Sequence, residues 1–203
     1  MKTKAEAGTR RRRRTPEAAQ REIIEAARDL LRERPFRELT VDEVMRRTGL
    51  SRPSFYVYFK DRHDLVLRVV GHMVAEMMVP SSAWLERGGP DALGESLAGA
   101  VEIYSEHAPV FRALADAAAD DVEVESAYNG LVQTFIDMTC SQVKSEIEAG
   151  RAPACDVDEV CKAMVWMAER YLYLSFAPGT DTDQARIVDT LHTVFRRAYY
   201  GAA

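Results

Sequence analysis

"TVDEVMRRTGLSRPSFYVYFKDR", residues 40–62, decides the fold. Two short apolar-periodic segments stand on either side of a glycine. Thr40 and Glu43 have the spacing of a capping box, and Gly49 closes the first segment as a helix-terminating glycine does. Ser51 is placed to cap the second segment, and Pro53 is tolerated within a first helical turn. At about 100° per residue, Phe55 and Phe59 lie within about 40° of each other on one helical face. The spacing predicts helices over 40–48 and 52–59, with the size and turn of a helix-turn-helix. Phe55 and Phe59 then pack inward, beside Val41, Val44 and Leu50.

The rest of the second helix carries Pro53, Ser54, Tyr56, Val57, Tyr58 and Lys60. A DNA major groove suits such a surface, because it offers phosphates, base-edge acceptors and thymine methyls together. Arg52 can pair with guanine, Pro53 and Val57 can touch methyl groups, and Tyr58 and Arg62 can bond phosphates. The competing explanation is an ordinary amphipathic hairpin with a solvated face. Three features favour DNA: the turn, the local basic excess, and aromatic rings on the face that is otherwise wet.

Charge is distributed unevenly over the 203 residues. Residues 1–68 hold 18 Lys/Arg against 11 Asp/Glu, a balance of +7, and the remainder holds 9 against 21, a balance of −12. A basic first third on an acidic body implies that one part meets a polyanion and the other does not. The run Arg10–Arg14, with Arg13 and Arg14 nearest the first helix, can enter a minor groove or simply add nonspecific attraction. Cys140, Cys155 and Cys161 are an odd set without CxxC spacing, which reads as reduced thiols in a cytoplasmic protein. The N-terminus has no apolar core of a secretory signal, and no apolar run is long enough for a membrane span.

Helix signals dominate outward from the motif. Thr15 and Pro16 start a helix whose apolar face is Ile23, Ala27, Leu30 and Leu31. Leu65, Val69, Met73 and Met77 form a core stripe on a long segment. Breakers at Pro35, Gly49, Pro80, 88–90, Pro109, 150–153 and 178–179 divide the chain into helices at 16–33, 40–48, 52–59, 61–86, 91–106, 109–119, 121–149, 156–177 and 183–200. The expectation is an all-α protein: an arginine-rich arm over 1–15, a helix-turn-helix domain over 16–62, and a helical body over 63–203. The last two helices carry apolar residues on more than one face, which a homodimer would cover.

No residues point to catalysis or a metal. His63, His72, His107 and His192 are scattered without ligand spacing, and His107 is expected to end a helix. There is no GxSxG, P-loop or GxGxxG. No cofactor is expected. Met and aromatic residues at helical spacing in the body read first as ordinary core.

The stretch "LTVDEVMRRTGLSRPSFYVYFKDRHDLV", residues 39–66, resembles the DNA-binding signature of the TetR family of transcriptional repressors, with Tyr56-Val57-Tyr58-Phe59 as its aromatic element followed by the basic Arg62. The likeness runs from Ala18 to Arg68. A weaker one, to the mycobacterial ethionamide-activation branch, continues through 122–124, 150–153, 169–177 and 185–191. The resemblance implies a nine-helix fold with an N-terminal three-helix head and a C-terminal ligand-binding and dimerisation body. It implies a homodimer through the last two helices, a palindromic double-stranded operator, and a lipophilic effector. Thr40 and Arg47 would contact phosphates, Arg52, Pro53, Ser54, Tyr56 and Val57 would face bases, and Tyr58 and Arg62 would fix register. Met77, Tyr104, Tyr128, Val132, Phe135, Thr139, Val165, Ala168, Tyr173 and Phe195 would line the effector tunnel. Val165 and Ala168 stand where the branch carries asparagines, which favours a more lipophilic ligand. Two other functions stay open: a DNA-binding protein governed by a protein partner, and an intracellular lipophile-binding protein.

Overall fold

Thr15 opens the first helix, α1 (Pro16–Glu33), by accepting a hydrogen bond from the Ala18 N–H at 3.2 Å, with Pro16 fixing the first helical φ. This computed structural model describes residues 15–201 apart from 120 and 178, without the side chains of 74 and 77–82. A 3-10 turn (Phe36–Glu38) leads to α2 (Val41–Thr48) and α3 (Arg52–Tyr58). Then follow α4 (Arg62–Arg87), α5 (Gly89–Ala118), α6 (Val122–Glu148), α7 (Val157–Ser175) and α8 (Gln184–Tyr200). The described residues thus form nine helical elements, eight α-helices and one 3-10 turn.

The head is built as its sequence pattern predicts. Ile23, Ala27, Leu30 and Leu31 are buried on α1, with Val44 on α2 and both Phe55 and Phe59. The two phenylalanine rings pack with centroids 5.3 Å apart. Gly49 takes φ +66°, a left-handed conformation that turns the chain from α2 into α3. Thr40 caps α2 through the Glu43 N–H at 3.3 Å and donates its own hydroxyl to the Glu43 carboxylate at 3.2 Å. Ser51 departs from expectation. Its side chain does not accept from the backbone of α3 but pairs with the Ser54 hydroxyl at 2.8 Å.

The body also differs from its sequence in one respect. The expected break ahead of Pro109 is absent, and segments 91–106 and 109–119 form the single helix α5. An internal proline costs a helix about 3 kcal/mol. Burial of Ala108, Val110 and Phe111 around it offsets that cost. His107 accordingly lies inside α5 instead of ending a helix.

α4 spans head and body. Leu65, Val66, Val69, Val70 and Met73 are buried along it, while the Met77 side chain lies outside the described set. Near its start His63 Nε2 lies 2.5 Å from Asp121 Oδ2, which itself caps α6. Near its end the Trp84 N–H donates to Ser96 Oγ at 3.0 Å, and the Trp84 carbonyl accepts from Gln142 at 2.8 Å. α4 and α6 therefore run in the same direction, with α5 returning between their ends.

That far end is held by Glu146, a fully buried carboxylate. It accepts from Arg151 at 2.7 and 2.9 Å, the Gly89 N–H at 3.0 Å, the Tyr200 hydroxyl at 3.0 Å and Gln142 at 3.2 Å. Gly88 makes room for it: at φ +66°, an added Cβ would sit 2.3 Å from Glu146 Oε1. Arg151, chiefly, holds the Glu146 carboxyl below its ordinary value of 4.5. A carboxyl whose folded pKa is lowered stabilises the fold above its unfolded pKa and loses that contribution as pH falls through the folded value. Glu146→Gln is expected to cost about 3 kcal/mol in urea unfolding at neutral pH. The gap between variant and wild type should narrow as pH drops below 4.5.

Candidate DNA-binding face and body cavity

α3 presents its outer residues as the sequence predicts. Val57 is 75% and Tyr56 53% exposed, while Arg52, Pro53 and Lys60 are exposed and Ser54, Tyr58 and Arg62 half-buried. Apolar Val57 is the most revealing of these, since it lies in water with nothing packed over it. Thr40 is exposed at the start of α2. The Arg62 guanidinium lies 4.8 Å from the Phe36 ring centroid, so its stem is anchored beside the head's core. Arg13 and Arg14 lie outside the described residues.

Two arginines on this face are already paired. Arg47 donates to both oxygens of Glu33 at 2.6 and 2.7 Å, and Arg52 to both oxygens of Asp42 at 3.1 and 3.2 Å. Both pairs are solvent-exposed and hence weak. Such exposed pairs can be exchanged for phosphate or base contacts at small cost; Arg47 links α2 to α1 through Glu33, and Arg52 links α3 to α2 through Asp42. The spacing of charges along the chain does not reveal these pairs, because 14 and 10 residues separate their members.

Behind the head, α5, α6, α7 and α8 with the end of α4 line a partly open cavity of ≈ 170 Å³. Of the expected lining residues, Tyr104, Tyr128, Val132, Phe135, Thr139, Val165, Ala168 and Phe195 face it. Tyr104 stacks on Phe111 with ring centroids 4.7 Å apart, which makes a flat aromatic wall. Tyr173 does not line the cavity. Its hydroxyl donates to Asp116 at 2.6 Å, and the guanidinium groups of Arg112 and Arg170 lie 4.0 and 4.7 Å from its ring, so it ties α7 to α5.

The lining also includes residues that sequence reasoning left out of the tunnel, among them Trp84, Leu85, Ser96, Leu172 and Glu169. Leu172 follows the helical spacing of Val165 and Ala168 and could have been found from it. Glu169 could not, because an acidic residue beside an arginine reads as a solvated pair. The Tyr128 hydroxyl donates to Glu169 Oε1. Burial first, and this carboxylate second, push the Tyr128 phenol well above its usual value, so it stays protonated and donates.

Pairs that the linear sequence separates join the head to the body. His107 is buried, with Nε2 2.8 Å from Glu76 and Nδ1 3.1 Å from Arg32. Arg28 of α1 meets the same Glu76 at 3.0 Å. Two histidines that looked solitary therefore sit against carboxylates at the joint, His63 and His107. Asp61, His63 and Glu123 bring ligand atoms within 4.8 Å of one another, but the His63 ring is engaged by Asp121 as part of that joint.

Known proteins share these features. Residues 23–69 match the family profile described as bacterial regulatory proteins, tetR family, and residues 93–201 match that of the C-terminal domain of the transcriptional regulator EthR. The chain is 31% identical over 187 residues to the HTH-type transcriptional regulator EthR of Mycobacterium tuberculosis, covering 88% of this chain and 86% of that protein. It is 26% identical to the regulator of the same name from Mycolicibacterium smegmatis over 88% of this chain and 85% of that one. In fold it is similar to a crystallised TetR-family transcriptional regulator of Syntrophomonas wolfei, with a TM-score of 0.81, 12% identity, and coverage of 93% of this chain and 98% of that one. Among the described residues no helix is long and apolar enough to cross a membrane.

If the cavity is empty space in an otherwise packed body, filling it should stabilise the protein. Ala168→Leu is expected to raise the melting temperature by about 2–4 °C in differential scanning calorimetry. A lower melting temperature would mean that the space is already filled by relaxed side chains.

Proposed function

The chain belongs to the TetR family of DNA-binding transcriptional regulators, and from that premise we propose that it is a cytoplasmic repressor released from a palindromic operator by a lipophilic effector. Residues 1–15 act as a basic arm, 16–62 as the DNA-binding domain and 63–203 as the ligand-binding and dimerisation domain. Thr40 and Arg47 meet phosphates, Arg52, Pro53, Ser54, Tyr56 and Val57 meet bases, and Tyr58, Lys60 and Arg62 hold register on the backbone. Arg13 and Arg14 reach the neighbouring minor groove. Two chains join through α7 and α8, whose Leu174 and Val194 are 59% and 39% exposed, and place their heads in major grooves about 34–36 Å apart.

The observation that carries the effector reading is the largely apolar cavity touching the end of α4 at Trp84 and Leu85. α4 has 26 residues and is about 39 Å long. A tilt of about 5° at the cavity would move the head by roughly 3 Å on that length. Such a change breaks the match of two heads to successive grooves only if the ligand favours the tilted state, and a tenfold loss of DNA affinity needs about 1.4 kcal/mol of that preference.

DNA binding is tested by fluorescence anisotropy on duplexes from the chain's own upstream region. Arg52→Ala should weaken binding, while Asp42→Asn, which frees Arg52 and removes a negative charge from the face, should tighten it about two- to fivefold at low salt. Loss of affinity in Asp42→Asn would mean that the Arg52–Asp42 pair is needed to shape the face, and would overturn the assigned exchange.

A further inference from the structure

We propose that the cavity takes a lipophilic molecule ending in a basic amine, with Glu169 as its counter-ion. This rests on the effector reading above and adds the chemical class of the ligand. Glu169 lies on the cavity wall with its side chain 11% exposed. Its two oxygens are in different positions. Oε1 accepts the Tyr128 hydroxyl, whereas Oε2 is shielded from solvent and accepts no hydrogen bond from the described residues.

An ionised carboxylate can accept about four hydrogen bonds, so one donor leaves it far from satisfied. A buried carboxylate oxygen without a donor is a standing penalty, which a donor entering the cavity would remove. The cation nearest to Oε2 is Arg170, whose Nε is 3.7 Å away. That distance is too long for a hydrogen bond, and the Arg170 side chain is more than half exposed and also lies over the Tyr173 ring. Arg170 therefore steadies the charge from the surface without filling the place inside.

The surroundings select the rest of the ligand. Val132, Phe135, Val165 and Phe195 offer an apolar lining for a hydrocarbon body. The stacked pair Tyr104 and Phe111 offers ring faces, which attract a cation. Burial and then the Glu169 charge push the Tyr104 phenol well above its usual value, so the carboxylate's field reaches across the site. A carboxylic acid of the same length would set like charge against Glu169. The body's net charge of −12 over residues 69–203 favours cations on approach.

The test uses the full chain and three probes with one hydrocarbon tail: decylamine, decan-1-ol and decanoate. Near pH 7 the amine is cationic, as lysine is. Isothermal titration calorimetry should give one site per chain, with decylamine at least about tenfold tighter than decanol and decanoate weakest. Glu169→Gln should bring the amine within about threefold of the alcohol. Arg170→Ala, which removes the competing surface cation, should tighten the amine about two- to threefold. Should the glutamine variant not fold, the order of the three probes on wild type decides alone. Binding of decanol or decanoate as tight as the amine overturns this inference and leaves the lipophilic-effector reading standing. Retention of the amine preference in Glu169→Gln also overturns it. Binding of none of the three overturns both.

Discussion

One continuous helix joins the part of the chain that faces DNA to the part that holds the cavity, and it is tied down at both ends. At its start Asp61 caps it through the His63 and Asp64 N–H groups, His63 binds Asp121, and Leu65 to Met73 complete the core beneath α1 to α3. In its middle Glu76 is held by Arg28 from the head and His107 from the body. At its end Trp84 donates to Ser96 through its backbone N–H and to Tyr200 at 2.8 Å through its indole N–H, while its ring stacks on Tyr199. These ties hold α4 against both the head and the body along its length.

The two surfaces served by α4 are prepared in different ways. The outer face of α3 is polar and solvated, and its arginines rest on exposed carboxylates that bind them weakly. Little free energy is lost in trading those partners for phosphates. The cavity is the reverse case, largely apolar, with one buried carboxylate oxygen that accepts no hydrogen bond from the described residues. In low dielectric such a group interacts strongly with whatever charge arrives. The face of α3 thus carries exchangeable surface pairs, whereas the cavity wall carries a single buried carboxylate.

Local pattern made the head legible. Thr15, Thr40 and Gly49 announce helix ends through side-chain and backbone chemistry that acts within four residues, and the pairing of Phe55 with Phe59 follows from helical geometry. Long-range partners were not legible. Pro109 reads as a breaker because its cost is local, while the burial of Ala108, Val110 and Phe111 that offsets it is tertiary. His107 reads as a helix end for the same reason, and only the fold brings Glu76 and Arg32 to it. In the cavity, apolar residues such as Val132 and Phe135 were found by resemblance. Tyr173 turns outward to Asp116, and Glu169 turns inward to Tyr128. Which way a polar side chain on α7 points depends on partners 41 and 57 residues away.

The proposed coupling of cavity to head is tested most directly by the distance between the two heads of the proposed dimer. Arg37, well exposed on the 3-10 turn and outside the DNA face, can carry a nitroxide as Arg37→Cys in a Cys155→Ser background, since Cys140 and Cys161 are buried. Pulsed electron–electron resonance would then compare the free dimer with one saturated by decylamine. A tilt of α4 by about 5° on ligand binding should change the label separation by about 3 Å or more. An unchanged distance distribution, with binding verified by calorimetry in the same sample, would contradict transmission through α4.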